Sequence, residues 1–350
     1  MEVVYSAVEL RDTYFDDYKP VGRTFEDLRN DLALVDSTGI PLTAEAVRTR
    51  IRRAPNAPDS YGMAVGYAGP PDGVTAKAIA EWNKHLAKLQ KRGGMARFAQ
   101  FGDKHYPYLD RQANDLCLKI VSDFNPDVVA GLNDLWDFSG FSSFADTRPW
   151  YKQNDSALTQ AVEWMRADMR EVHDAAPNAK CFGIEGNHDE RLWRHLFGDS
   201  KFTADYTQAH VFQDLHAAGI LLVEGMDGEA GVDLSPGLRA LHGRYATKNI
   251  ITAIKNTLEM YGNQQSVGFG HIHRAGELTI RGKFYDVRGV AVGCLCELQP
   301  HYSKYRQNWH QGVALWTYDP NGYETNVQNI VFNRDGKRLR AFVGGKEYSA

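Results

Sequence analysis

Gly186-Asn187-His188-Asp189 ends an apolar run over residues 179–185. Asparagine offers a metal a neutral oxygen, histidine offers a proton, and aspartate can hold that histidine in one orientation. Four more apolar runs end in the same chemistry. Asp103-Lys104-His105 follows residues 96–101, and Asn133-Asp134-Leu135-Trp136-Asp137 follows 127–132. His242-Gly243 follows 238–241, and Gly270-His271-Ile272-His273 follows 266–269. Each piece alone is weak evidence; the joint pattern carries the weight.

Something must bring these ends together. In sheets fed by helical crossovers, residues just past the strand ends converge on one rim. Helical spacing of apolar residues marks 110–124 (Leu116, Leu118, Ile120, Val121) and 156–173 (Leu158, Val162, Met165, Met169), and a further helix is read over 248–261. Past Arg274 the pattern changes to short runs and turns at 277–281, 283–287, 313–318 and 323–332. Alternating strands and helices followed by a mostly β half predict an α/β protein, with two sheets packed face to face and helices on the flanks.

The chain has 350 residues, 43% hydrophobic and 24% charged, ordinary values for a globular protein. A net charge of −4 argues against a surface coated in basic residues, though not against a local basic groove. No window approaches the length of a membrane helix, and no secretory signal opens the chain. The expectation is a cytoplasmic protein with free thiols and no membrane partner. Cys294-Leu295-Cys296 suggests a metal pair, but the two are expected on opposite faces of a strand and are read as buried thiols.

The first 93 residues read as a separate helical segment, with the main domain over 94–350. Phe25, Leu28, Leu32 and Val35 repeat at helical spacing after a Thr24 cap, and 43–53 form a second helix bearing Arg48, Arg50, Arg52 and Arg53. That arrangement suggests a helix-turn-helix, weighed evenly against a plain packing element. Residues 55–73 read as a linker and 74–91 as another helix.

The site chemistry is that of two divalent cations. Asp134 is the natural bridge, because a carboxylate offers two oxygens and a charge that offsets both ions. Asp103 and His105 would bind the first ion, Asn187 and His242 would complete the second, and His271 and His273 could serve one each. A mixed Asp, Asn and His set suits manganese, iron, zinc or cobalt better than calcium, with manganese the first choice.

The order Asp-x-His, Asn-Asp-x-x-Asp, Gly-Asn-His-Asp, His-Gly, Gly-His-x-His resembles the calcineurin-like metallophosphoesterase superfamily over residues 95–335. The resemblance implies that family's two-sheet β-sandwich flanked by helices. It places Asp103, His105, Asp134 and His273 on one ion, and Asp134, Asn187, His242 and His271 on the other. His188 is implied as the proton donor, oriented by Asp189. The family's second motif usually reads Gly-Asp; here Asn133 precedes Asp134. The stretch from His242 to Arg274 also resembles a phage-type, nuclease-like branch.

The reaction implied is attack of a metal-bridging hydroxide on phosphorus, with His188 protonating the leaving oxygen. The expected partner is a phosphodiester, DNA being the candidate, so the leading reading is a phosphodiesterase or nuclease. Alternatives are a phosphomonoesterase acting on a protein or small molecule, and a DNA-binding protein with a weakly active metal domain. Asp137 and Arg191 are read as supporting or substrate-binding residues. His173, His195, His210 and His216 are assigned to helix surfaces, and His301 and His310 to structure. The sequence leaves the oligomeric state open.

Overall fold

A computed structural model describes residues 73–131, 134–137, 157–189, 220–223, 231–245, 247–261, 264–281, 285–299 and 308–350. The helices expected at 24–35 and 43–53, the linker up to residue 72, and Asn133, Arg191, His195, His210, His216 and His301 lie outside them. The chain divides into two compact units, residues 1–61 with 260–262, and residues 62–259 with 263–350. The second unit carries the architecture below.

Its larger sheet has six strands in the order β11-β10-β1-β2-β3-β4. These are β1 (Ala96–Gln100), β2 (Val128–Ala130), β3 (Lys180–Ile184), β4 (Leu221–Val223), β10 (Gly312–Tyr318) and β11 (Thr325–Val331). β1 to β4 run parallel, and β10 closes the other side antiparallel to β1. Helix α1 (Gly73–Arg92) precedes β1, α2 (Arg111–Phe124) joins β1 to β2, and α3 (Ala157–Ala175) joins β2 to β3. Asp110 caps α2 by accepting from the Ala113 amide at 3.1 Å, and Asn125 ends it in the left-handed conformation.

The second sheet has five strands, β5 (Gly231–Ser235), β6 (Leu238–Leu241), β7 (Ser266–Phe269), β8 (Gly276–Arg281) and β9 (Asp286–Ala291), in the order β5-β6-β7-β9-β8. Helix α4 (Ile250–Met260) joins β6 to β7. A small meander of β12 (Asn333–Asp335), β13 (Arg338–Val343) and β14 (Lys346–Ser349) ends the chain.

Two cores hold the layers together. Phe98, Val128, Phe182 and Trp316 of the first sheet pack against Val232, Leu238, Ala240 and Val290 of the second. The other face of the first sheet, with Ala99, Val129 and Leu315, packs on Leu116 and Ile120 of α2, Met169 and Val172 of α3, and Leu339 and Tyr348 of the meander. β2 is therefore covered on both faces, which is why its three residues are all apolar and buried. The two-sheet α/β architecture expected from the strand pattern is what the molecule has. Helix α1, before the boundary drawn at residue 94, packs into the same core: Trp82 is buried, edge-on to Phe182 at 5.2 Å.

Periodicity missed β4, β5 and the final meander. β4 and β5 flank stretches without alternation, and β12 is exposed throughout, so no apolar pattern marks it. Among the described residues no helix is long and apolar enough to cross a membrane.

Candidate metal centre

All the positioning is done at the carboxyl ends of parallel strands. Asp103 and His105 follow β1, Asp134 follows β2, and Asn187 and His188 follow β3; His242 follows β6, and His271 and His273 follow β7. The loops after β1 and β2 are laced together. The amides of His105 and Tyr106 donate to the carbonyls of Asp134 and Leu135, and that of Asp137 donates to Tyr106, at 2.9–3.1 Å. This lacing carries the two ligand turns across the rim side by side.

The turns are sharp. Asp103, His105, Asp134, His271 and His273 all have positive φ, between 40° and 68°. Such angles are uncommon for residues with a side chain and recur where a site dictates the backbone. Two glycines make room for the carboxylates. A Cβ on Gly186 would lie 1.9 Å from Asp134 Oδ1, and one on Gly270 would lie 2.5 Å from Asp103 Oδ2. The glycines of Gly-Asn-His and Gly-His-x-His are thus seats for acids arriving from other strands.

Two groups of donor atoms result, one of Asp103, His105 and His273, the other of Asp134, His242 and His271, each with its atoms within 4.8 Å of one another. The Nε2 atoms of His105 and His273 are 3.0 Å apart, and Asp103 Oδ1 is 3.9 Å from His273. In the second group His242 Nε2 is 3.3 Å from Asp134 Oδ2 and 3.2 Å from Asn187 Oδ1. Asp134 Oδ2 also lies 3.8 Å from His105 Nε2, so this carboxylate sits between the groups.

These spacings test whether cations fit. Two donors each about 2.1 Å from one ion stand about 3.0 Å apart at a right angle and about 3.4 Å apart at the tetrahedral angle. The closest contacts match those edges. His242 Nδ1 is also buried and without a partner among the described residues, so Nε2 is the nitrogen that faces the donor group. The clusters can hold divalent ions, and imidazole with carboxylate suits borderline metals.

The charges are in mutual tension. Burial pushes the Asp103 carboxyl up to about 7, helped by Asp134 beside it. Burial also acts on Asp134, but His242, His188 and His105 outweigh it and hold this acid well below the usual carboxylate range. His242 is desolvated too, yet Asp134 and Asp103 raise it to about 9. Burial and His242 lower His271 to about 4, and burial with His105 holds His273 well below the ordinary histidine value. Neutral imidazoles with free lone pairs are what a metal requires.

His188 stands at the edge of this nest, with its side chain 21% exposed. The expectation that Asp189 orients it is corrected. The Asp189 carboxylate accepts from the amides of Gly186 and Trp136, at 3.0 and 3.1 Å, and so clamps the β3 turn to the β2 loop. A carboxylate one residue away along a tight turn finds backbone amides nearer than the adjacent ring. Asp137 is the acid at His188: its Oδ1 lies 2.9 Å from His188 Nδ1 and 3.3 Å from His105 Nδ1. Burial raises Asp137, but these two histidines prevail and leave it well below the ordinary range.

The cysteine expectation also needs correction. Cys294 and Cys296 are buried but not on opposite faces; both sulfurs lie in one group with His273, and Cys296 Sγ is 4.0 Å from His273 Nδ1. Residues two apart along an extended chain share a side. All four cysteines are free. His173 is exposed on α3, and His310 is structural, its Nδ1 accepting from the Ala275 amide at 3.3 Å. Sequence reasoning missed Trp309, edge-on to His273 at 4.3 Å, and the Lys104–Asp168 contact. An acid on an otherwise apolar helix face was the available signal for Asp168.

No known protein-family profile matches the chain. The Gene 54 protein of Mycobacterium phage L5 is 27% identical over 270 residues, 69% of this chain and 97% of that protein. The Gene 54 protein of Mycobacterium phage D29 is 24% identical over 257 residues, 68% of this chain and 95% of its own. Among solved structures, Vacuolar Protein Sorting 29 from Cryptosporidium parvum aligns with a TM-score of 0.36 at 10% identity, covering 73% of this chain and 96% of that one. A single mutant of Vps29 from Entamoeba histolytica aligns at 0.34 and 12%, covering 73% and 97%.

Proposed function

We propose that this chain is a metal-dependent phosphoester hydrolase, with a phosphodiester as its substrate. The observation that carries the reading is the meeting of two donor groups on one rim, with Asp134 between them and His188 at the edge. Asp103, His105 and His273 would hold one ion, Asn187, His242 and His271 the other, and Asp134 both. When bound, such a pair supplies Lewis acidity toward phosphoryl oxygens and a nucleophile at neutral pH.

The chain's own residues do the rest. Asp137 accepts from His105 Nδ1, which fixes that ring with Nε2 toward the first donor group. The same oxygen accepts from His188 Nδ1 and leaves the other ring nitrogen for a substrate. His188 is then placed to give a proton to the departing oxygen, a contribution of about 10²–10⁴-fold. Its backbone amide donates to Asp134 Oδ1 at 2.8 Å, which ties the proton donor to the bridging acid.

Preference for a diester rests on the resemblance of residues 242–274 to a phage-type branch, and the phage origin of the two similar proteins supports it. Purified protein supplemented with manganese is to be assayed on bis-p-nitrophenyl phosphate and p-nitrophenyl phosphate. Faster turnover of the diester supports the reading. Turnover of the monoester alone makes the protein a phosphatase, and turnover of neither removes the hydrolase assignment.

A further inference from the structure

We propose that the buried Lys104–Asp168 ion pair is a positioning device for the ion held by Asp103, His105 and His273, an inference that rests on the metal reading above. Lys104 is fully buried between two candidate ligands that both have φ of 50°. Its Nζ lies 2.5 Å from Oδ1 of Asp168, also fully buried, in α3. The next residue but one is anchored at the same place. Tyr106 Oη donates to the same oxygen at 3.4 Å, and the Tyr106 ring stacks on Trp164, one helical turn before Asp168, at 5.5 Å.

Side chains 104 and 106 are therefore both fastened to one turn of α3, while 103 and 105 reach the metal group. Asp103 and His105 sit in left-handed backbone, so strand alternation alone does not aim their side chains. Pulling the even-numbered pair onto the helix aims the odd-numbered pair at the rim. Stability is a poor reason for this ion pair. Burying two charges is costly, and apolar residues of similar volume often serve as well or better. The second Asp168 oxygen also has no partner among the described residues. What the pair does supply is direction, because a short charge-assisted contact fixes Lys104 where a methylene chain would slide.

The test is manganese binding by titration calorimetry, with thermal unfolding of the metal-free protein measured in parallel. Lys104→Met combined with Asp168→Leu removes both charges and leaves neither alone in the core. The wild type is expected to bind two ions. The double variant is expected to unfold at the wild-type temperature or higher, yet to bind one of the two ions about 10–100-fold more weakly, the other being unchanged. A merely structural pair would lower the unfolding temperature and leave both affinities alike. Two wild-type affinities in the double variant overturn the inference and leave the metal reading standing; a wild type that binds no manganese overturns both. Should the double variant not fold, Asp168→Asn carries the test, since it keeps the shape and an acceptor for Lys104. About tenfold weaker binding of one ion supports the proposal, and unchanged binding overturns it.

Discussion

One oxygen of Asp137 joins a candidate metal ligand to the candidate proton donor: Oδ1 is 2.9 Å from His188 Nδ1 and 3.3 Å from His105 Nδ1. The two rings meet edge to face, 4.4 Å between centroids. On the proposed reading one carboxylate serves both metal binding and proton transfer, so substitutions at the three positions separate the two jobs.

His188→Ala is expected to keep two manganese ions and to lose about 10²–10⁴-fold in kcat on alkyl phosphodiesters, whose leaving groups need a proton. A p-nitrophenyl ester should be hit far less. Asp137→Asn is expected to lose turnover as well and to bind metal about 10–100-fold more weakly, because His105 loses its support. Steady-state kinetics on both ester types, paired with elemental analysis, check this. Unchanged kcat for His188→Ala on the alkyl ester would remove it from the mechanism.

Asp134→Ala is expected to empty both sites. The carboxylate sits between the donor groups, within 3.3 Å of His242 and 3.8 Å of His105, and receives the His188 amide. Metal content of the purified variant is the readout. Full occupancy would show that the groups do not share this acid.

Gly186→Ala is expected to cost metal before it costs fold. The new Cβ would fall 1.9 Å from Asp134 Oδ1 and 2.9 Å from the Asp134 amide nitrogen, so the acid must move. Overpacking of this kind costs about 1–3 kcal/mol. Urea unfolding should register that loss, and manganese titration should register a larger one. Wild-type metal affinity would mean that the turn opens freely.

Asp127 gives a pH test away from the centre. Its carboxylate accepts two bonds from Arg92, at 2.6 and 3.0 Å, and one from the Arg97 amide, at 2.9 Å. Burial pushes this acid up, but Arg92 and Arg97 outweigh it and hold its pKa below the usual carboxylate value. A depressed folded-state pKa gives stability that is present above about pH 4 and lost as pH falls through the folded value. Asp127→Asn should therefore cost about 1–2 kcal/mol at pH 7, a gap that narrows toward pH 3. Urea unfolding at both pH values checks the sign, and a gap that widens in acid would contradict it.

The chemistry of the rim was legible because each strand announces its end. Asp103, Asp134, Asn187, His242 and His271 follow apolar runs, and the parallel order of the strands sends those ends to one side. β4 and β12 were not legible. β4 is only three residues long and β12 is exposed throughout, so neither leaves a periodic trace.

Residue type and spacing along the chain determined which groups are candidates to hold a metal, because strand ends are local properties of sequence. Which acid faces which histidine was decided only in three dimensions. The bridge between Tyr106 and Trp136 sets the β1 and β2 loops in register and carries Asp137 to His105 and His188, while Asp189 turns back to the amides of Gly186 and Trp136. The same folding brought Cys294 and Cys296 to His273 and Lys104 to Asp168. All but the Asp189–Gly186 contact join segments separated by tens of residues, and their partners depend on the path of each segment through space, which neighbouring residues do not encode.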